Sequence, residues 1–102
     1  MKIKDVFILG EAVDDLNAGK SFYDSQEPGV GDYFWDCLIT DIESLIVYAG
    51  IHIKKRGFYQ MLSKRFPYAI YYEISDGIVY VVAILPIRRD PAWISKQLRK
   101  RR

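Results

Sequence analysis

The feature that most constrains the fold is a pair of apolar segments, residues 67–74 and 78–85, that lie three residues apart. The first, PYAIYYEI, alternates like a strand with one buried face. The second, IVYVVAIL, is apolar throughout, which is typical of a central strand covered on both faces. We expect Ser75, Asp76 and Gly77 to form a three-residue hairpin loop, although a two-residue Asp76-Gly77 turn would also connect the strands.

The alternation assigns side chains to the two faces of the first strand. One face should pack on helices and carries Phe66, Tyr68, Ile70, Tyr72 and Ile74. The three-residue loop would pair Ile74 with Ile78 and Tyr72 with Tyr80. In that register, the other face of the two strands carries Arg65, Ala69, Tyr71, Glu73, Val79, Val81, Ala83, Ile87 and Arg89. No remaining segment is long enough to cover that face fully. We therefore expect an open face suited to a polyanion.

The first half of the chain has helical periodicity after an initial strand at residues 2–9. Residues 11–26 predict one helix, and the turn at 27–31 separates it from a second helix capped by Asp32. Gly50 stands where a left-handed residue would end that second helix. Two helices joined by so short a turn form an antiparallel hairpin.

The second half adds a further strand at residues 57–63 and a last helix that begins at Asp90-Pro91. The predicted fold class is α+β, with an N-terminal strand and an antiparallel helical hairpin packed on an antiparallel sheet. A chain of 102 residues supports one core, so we expect a single domain, 1–102, with a basic C-terminal segment at 91–102.

Charge is divided unequally along the chain. Residues 1–48 carry a net charge of −7 and residues 49–102 a net charge of +9. Such a division predicts a bipolar surface whose basic side can meet a phosphate backbone or an acidic protein. In the alternative interpretation, the two halves neutralise each other across the fold.

Several classes of protein are not indicated by the sequence. The N-terminal apolar run is too short for a signal peptide, and no run approaches the roughly 18 apolar residues of a membrane span. The lone Cys37 cannot form an internal disulfide, which fits a cytoplasmic protein. Cys37 is expected to be a small buried residue and His52 an exposed loop residue. With one residue of each type, we expect neither a metal site nor a cofactor.

Two groups of motifs carry a resemblance to a known family. The first half has an N-terminal strand, a helix opening with EA..DL and a PG.G turn; the second half has RFPYAIYYEI.DG.VYVVAIL followed by RRDP.W. In this order and spacing, over residues 5–95, the chain resembles the RelE/ParE superfamily, also described as the plasmid stabilisation protein family. These proteins are the toxins of bacterial and archaeal toxin–antitoxin pairs. The resemblance implies a toxin neutralised by a cognate antitoxin that lies around it.

The resemblance implies two targets, because some members cut mRNA on the translating ribosome and others act on DNA gyrase. Arg65 and Arg88 or Arg89 match the basic positions of the cleaving members, where arginines would stabilise charge on the reacting phosphate. Those members usually carry a Tyr or His after the final strand. Here the segment is PAWISKQLRKRR, so Tyr71 or Lys54 would have to substitute as the acid, although neither matches a motif of the family.

A gyrase-directed toxin needs a binding surface and no catalytic groups, and the FPYAIYY strand looks closer to that branch. We therefore expect a growth-inhibiting toxin that acts on gyrase, with a ribosome-dependent mRNA endonuclease as the alternative and enzyme status left open. A non-toxic binding module is the alternative from another class. Contacts with antitoxin or target are expected at Lys54, Lys55, Arg56, Lys64 and Trp93. Trp35 and Trp93 could also anchor a second copy of the chain.

Overall fold

The computed structural model describes residues 2–101 and confirms the α+β class. Its elements are, in order, β1 Asp5–Ile8, α1 Gly10–Gln26, α2 Val30–Glu43, α3 Leu45–Tyr48, β2 Lys54–Lys55, β3 Phe58–Leu62, β4 Tyr68–Ser75, β5 Ile78–Pro86 and α4 Pro91–Lys100. None of the described helices is both long and apolar enough to pass through a bilayer. The predicted helices and strands all occur, and β2 is an addition that the sequence did not indicate.

The five strands form one sheet in the order β1-β5-β4-β3-β2. Neighbouring strands pair antiparallel, except that β1 lies parallel to β5. The sheet is therefore mostly antiparallel, as predicted, with one parallel pair. β1 is short: its register ends at Ile8 opposite Val81, whereas β5 continues to Pro86. Among the described residues, the outer edge of β5 beyond Val81 therefore has no strand beside it.

The β4–β5 hairpin has a two-residue turn, so the expected three-residue loop is wrong. Ser75 pairs with Ile78, and the turn residues Asp76 and Gly77 have φ of 52° and 76°. Positive φ at both central residues is what a type I′ turn requires, and this turn matches the natural twist of the two strands. The predicted pairs, Ile74 with Ile78 and Tyr72 with Tyr80, consequently do not form.

A bulge in β5 reverses the side-chain alternation in the middle of the strand. Tyr72 pairs with Val81 but its neighbour Tyr71 pairs with Ala83, which leaves Val82 as an extra residue. Before the bulge, Val79 and Val81 face α1 and α2; after it, Ile84 faces that side. The predicted positions of Val79 and Val81 on the opposite face are therefore wrong.

The main core lies between the sheet and the α1–α2 pair, as predicted. Its central members are Leu16, Phe34, Leu38, Ile42, Tyr68, Ile70 and Tyr72. Gly19 allows close approach of α1, because a Cβ at this position would lie 2.5 Å from the Phe34 ring. The core thus uses the strand face that the sequence indicated.

The start of α2 differs from the prediction. The position before its first residue is Gly29, with φ of 92°, and no side chain caps it. Asp32 lies inside the first turn, where it is 3.3 Å from the Lys20 ammonium group. The predicted Asp32 cap is wrong because the left-handed Gly29 brings the chain into the helix three residues earlier. Gly50 has the expected left-handed φ, 96°, but it follows α3, because the predicted second helix is divided at Ser44.

The opposite face of the sheet is covered by α4, so the expectation of an open face is wrong. Ile94 and Leu98, one turn apart on α4, pack over Tyr71, which is 1 % exposed. Asp90 caps the helix as predicted by accepting the Ala92 N–H at 3.0 Å. A helix of ten residues is about 15 Å long, which spans several strand residues.

An ion pair between α1 and the end of α4 provides hydrogen-bond partners for backbone groups at the unpaired edge of β5. Asp15 accepts the Ile84 N–H at 2.9 Å, and Arg101 donates to the Val82 carbonyl at 3.2 Å. Arg101 and Asp15 also bind each other through two hydrogen bonds, one of 3.0 Å from Nη2 to Oδ1 and a second from Nη1 to Oδ2. Both side chains are largely buried. The hydrogen bond with Asp15 raises the pKa of Arg101, against the opposing effect of burial.

We expect Arg101→Gln to lower the free energy of unfolding by about 2 kcal/mol, because the Asp15 carboxylate would keep its buried position without a counter-charge. Urea unfolding measures this change. Lys100→Gln is the matched control, since Lys100 is an exposed cation one residue away, and it should change stability by less than about 0.5 kcal/mol. Equal effects of the two substitutions would contradict this role for Arg101.

Candidate functional site

A groove lies between α1 and α4. Its floor is the end of β5 that has no neighbouring strand. Ala18, Gly19 and Phe22 line it from α1, Trp93 from α4 and Pro86 from β5. Its volume is about 480 Å³, within the range of ligand sites, and its lining is mostly apolar. We call this feature the α1/α4 groove.

The local sequence explains why the groove stays open. Phe22 and Tyr23 are adjacent on α1, so only one of them can face the core; Tyr23 stacks on Phe34, and Phe22 remains 54 % exposed. Pro86 has no N–H, so the end of β5 offers no donor there for a further strand. The groove therefore presents aromatic surface beside a strand edge at which side chains satisfy only some of the backbone hydrogen-bonding groups.

Two arginines and a tryptophan stand together at one end of the groove. Arg88 and Arg89 follow β5 directly, and the Arg89 guanidinium lies over the Trp93 ring, 3.9 Å from its centroid. The turn that carries them is held by the Ile87 N–H, which donates to the Pro67 carbonyl at 2.9 Å. Of the residues proposed from the sequence, Arg88, Arg89 and Trp93 are thus brought to one site.

Two tyrosines contribute hydroxyl groups to the groove wall. Burial raises the pKa of Tyr68 to about 12. Burial also raises the pKa of Tyr23, although the nearby Arg88 charge acts in the opposite direction. Both phenols are therefore neutral at physiological pH and can donate hydrogen bonds. Sequence reasoning missed Tyr23, Phe22 and Asp15 as groove residues; the Phe22-Tyr23 pair was the available signal, because a helix cannot bury two consecutive aromatic side chains on one face.

Lys64 and Arg65 lie in a different place, in the connection between β3 and β4. They line a shallow depression beside α2 together with Asp36, Cys37 and Asp41. The buried Asp41 carboxylate holds this connection by accepting the Lys64 N–H at 3.2 Å and the Ser63 hydroxyl at 2.8 Å. Arg65 therefore does not line the groove that contains Arg88 and Arg89.

Tyr71 cannot take the acid role considered for it, because it is buried beneath α4. Its hydroxyl oxygen accepts a hydrogen bond of 3.0 Å from the Gln60 amide. The sequence predicted that Tyr71 lies on an open face of the sheet, but α4 covers that face. The site predicted from Arg65, Tyr71 and Arg89 thus does not form as one constellation.

The basic run at residues 54–56 forms a surface of its own near the end of α4. The Lys54 ammonium group lies 4.9 Å from the Tyr59 ring centroid, and the Arg56 Nε donates to the Ser95 hydroxyl at 2.7 Å. Arg56 and Arg99 line the same depression. This second basic surface is built from β2 and α4, whereas the α1/α4 groove is built from α1, β5 and the start of α4.

His52 is partly buried and hydrogen-bonded, so the expectation of an exposed loop residue is wrong. Its Nδ1 lies 2.6 Å from the Tyr72 hydroxyl, which also accepts the Gly50 N–H at 2.9 Å. A neutral imidazole can accept the Tyr72 hydroxyl proton at Nδ1 while the hydroxyl oxygen accepts from Gly50. Burial lowers the pKa of His52 in agreement with this arrangement.

Cys37 is half-buried on α2 and packs against the main core, close to the expected small apolar role. Within residues 2–101, no three His, Cys, Asp or Glu side chains are grouped so that they could hold a metal ion. The polar residues that line the groove include Arg88, Arg89, Tyr23, Tyr68 and Asp15.

The lowered pKa of His52 predicts a pH-dependent contribution to stability. A group whose pKa is lower in the folded state stabilises the fold above its unfolded pKa of 6.5 and loses this contribution as the pH falls through the folded value. We expect His52→Gln to cost more stability at about pH 7.5 than at about pH 5. Urea unfolding of both proteins at both pH values measures this. A difference that does not change with pH would contradict the neutral, bonded imidazole.

Comparisons with known proteins agree with the observed architecture. No family model matches the sequence, and no curated protein matches it. Among solved structures, the chain is similar to one chain of the chromosomal ParDE TA system from P. aeruginosa. The TM-score is 0.75 at 14 % sequence identity, and the alignment covers 84 % of this chain and 97 % of that chain. This likeness shows the fold: the chain folds like that chain of the ParDE system.

Proposed function

We propose that this chain is the toxin of a type II toxin–antitoxin pair and that its α1/α4 groove binds the antitoxin. The observation that carries the proposal is the groove itself, an aromatic-lined channel beside an incompletely paired strand edge, on a fold shared with a chain of a ParDE system. Grooves of this kind take amphipathic helices or extended segments of a partner.

The chemistry of the groove specifies the partner segment. Phe22 and Trp93 offer apolar contact, and Arg88 and Arg89 at one end offer positive charge. A complementary segment has apolar side chains along its length and acidic side chains where it meets the two arginines. Further contacts with acidic parts of the antitoxin or target are proposed for Lys54, Lys55, Arg56 and Lys64.

For the target we propose DNA gyrase. The residues considered for RNA cleavage occupy separate places: Arg88 and Arg89 at the groove, Arg65 beside α2, and Tyr71 beneath α4. General acid–base catalysis needs such groups within hydrogen-bond reach of one substrate. Action on gyrase needs only a binding surface, so this dispersal supports the gyrase branch over the ribosome-dependent endonuclease.

The first test is a growth assay with induced expression of wild-type protein and of Arg88→Ala combined with Arg89→Ala. We expect growth arrest, altered plasmid supercoiling and intact mRNA for the wild type. We propose that the two arginines at the groove also contact gyrase, so the double variant should inhibit about tenfold less. Lys96→Ala removes an exposed cation from α4 and is the matched control.

The remaining outcomes of this assay each oppose part of the proposal. Arrest with new mRNA ends inside reading frames, abolished in the double variant, would replace gyrase by the ribosome as target. Normal growth at verified expression levels would indicate a non-toxic binding module.

A second test addresses the groove as the antitoxin site. The protein encoded by the neighbouring gene is the antitoxin candidate, and its affinity is measured by calorimetry with wild type, Phe22→Glu and Leu62→Glu. Both substitutions place a charge at an exposed apolar residue, but Leu62 is on β3 and does not line the groove. We expect a loss of about 2 kcal/mol in binding for Phe22→Glu alone. Equal affinities would place the antitoxin elsewhere.

A further inference from the structure

A second feature of the surface is an uncharged apolar segment between α3 and β2. Five of its side chains are exposed: Ile46, Val47, Tyr48, Ile51 and Ile53. Val47 and Ile51 are the most exposed of them, at 71 % and 72 %. Residues 44–53 contain no Asp, Glu, Lys or Arg, although these types make up 27 % of the chain. We call residues 46–53 the neutral ridge.

The neutral ridge is held in place by hydrogen bonds to the body of the protein. The Gly50 N–H and the His52 imidazole both bind the hydroxyl of Tyr72, a fully buried core residue. Within the segment, the Ile51 N–H donates to the Tyr48 carbonyl at 3.3 Å. The exposed side chains therefore belong to a backbone segment that is already held in place. Binding of a partner would cost little conformational entropy in this segment.

The exposed area is large for a surface without a partner. From their exposed fractions, the five side chains present on the order of 600 Å² per chain, at the upper end for the largest apolar patch of a monomer. Two such surfaces would bury about 1,200 Å² in total, which is the lower bound for a stable, specific protein interface. One patch covered by an identical patch thus reaches the size that a dimer requires.

We propose that the neutral ridge is the interface at which a second copy of this chain packs in a symmetric dimer. In a two-fold contact the same residues meet each other, so an uncharged apolar surface is self-complementary and no like charges are brought together. An acidic partner would find no cation on the ridge. Sheet extension is disfavoured because the edge strand β2 has only two residues, both lysines, so the contact is made by side-chain packing.

The proposed dimer does not depend on the proposed toxin function and leaves the α1/α4 groove accessible. The groove lies at the Tyr68 end of β4, which forms part of its wall. The ridge is anchored at Tyr72, and Gly50 lies beside Ile74, toward the other end of the same strand. Each copy in the dimer would therefore keep its own groove for an antitoxin.

Sedimentation velocity of the purified chain between about 1 and about 100 µM tests the proposal. We expect a concentration-dependent dimer for the wild type. Val47→Asp combined with Ile51→Asp should give a monomer at every concentration, because carboxylates would be desolvated at the centre of the contact. Leu62→Asp, a substitution of an exposed apolar residue on β3, is the matched control and should still dimerise. Circular dichroism verifies that all three proteins are folded.

Two results would overturn the proposal. A wild-type monomer up to about 100 µM would exclude a dimer of useful affinity. A dimer that persists in the Val47 and Ile51 variant would place the interface elsewhere. Hydrogen exchange of the complex with the neighbouring gene product distinguishes a second copy of this chain from the antitoxin as the partner of the ridge. Protection of residues 46–53 in a complex that contains one copy of this chain would assign the ridge to the antitoxin.

Discussion

The buried ion pair between Asp15 and Arg101 is the contact on which the two layers of the protein depend. Asp15 belongs to the helix that covers one face of the sheet, and Arg101 follows the helix that covers the other. They meet around the edge of β5 and complete the hydrogen bonding of Val82 and Ile84. Backbone groups buried without partners would be costly, so this pair allows β5 to continue past the end of β1.

The short length of β1 has a second consequence at the same edge. Beyond the ion pair, β5 ends at Pro86, and the space that a longer β1 would have filled becomes the α1/α4 groove. Arg88 and Arg89 stand at this point because they follow the strand directly. The ion pair and the groove thus share one structural cause, and the proposed antitoxin site adjoins the contact that joins the two helical layers.

The neutral ridge and the groove differ in chemistry as they do in place. The groove combines aromatic side chains with two arginines, which suits an acidic amphipathic partner segment. The ridge has no charge and is anchored through Tyr72, which suits an identical surface. Residues 44–53 carry no charged side chain, whereas Arg88 and Arg89 line the groove.

The sequence by itself determined the three longer helices, four of the five strands and the cap of α4, because these follow from short-range periodicity and from the local chemistry of pairs such as Asp90-Pro91. It also indicated Arg88, Arg89 and Trp93 as candidate site residues, although it assigned the arginines and Trp93 different roles. Only the tertiary structure decided the hairpin register, the Val82 bulge and the burial of Tyr71, because a shift of one residue exchanges the two faces of a strand. It likewise decided the contact between Asp15 and Arg101, which depends on the path of α4 back across the sheet and leaves no signal in the residues near either partner.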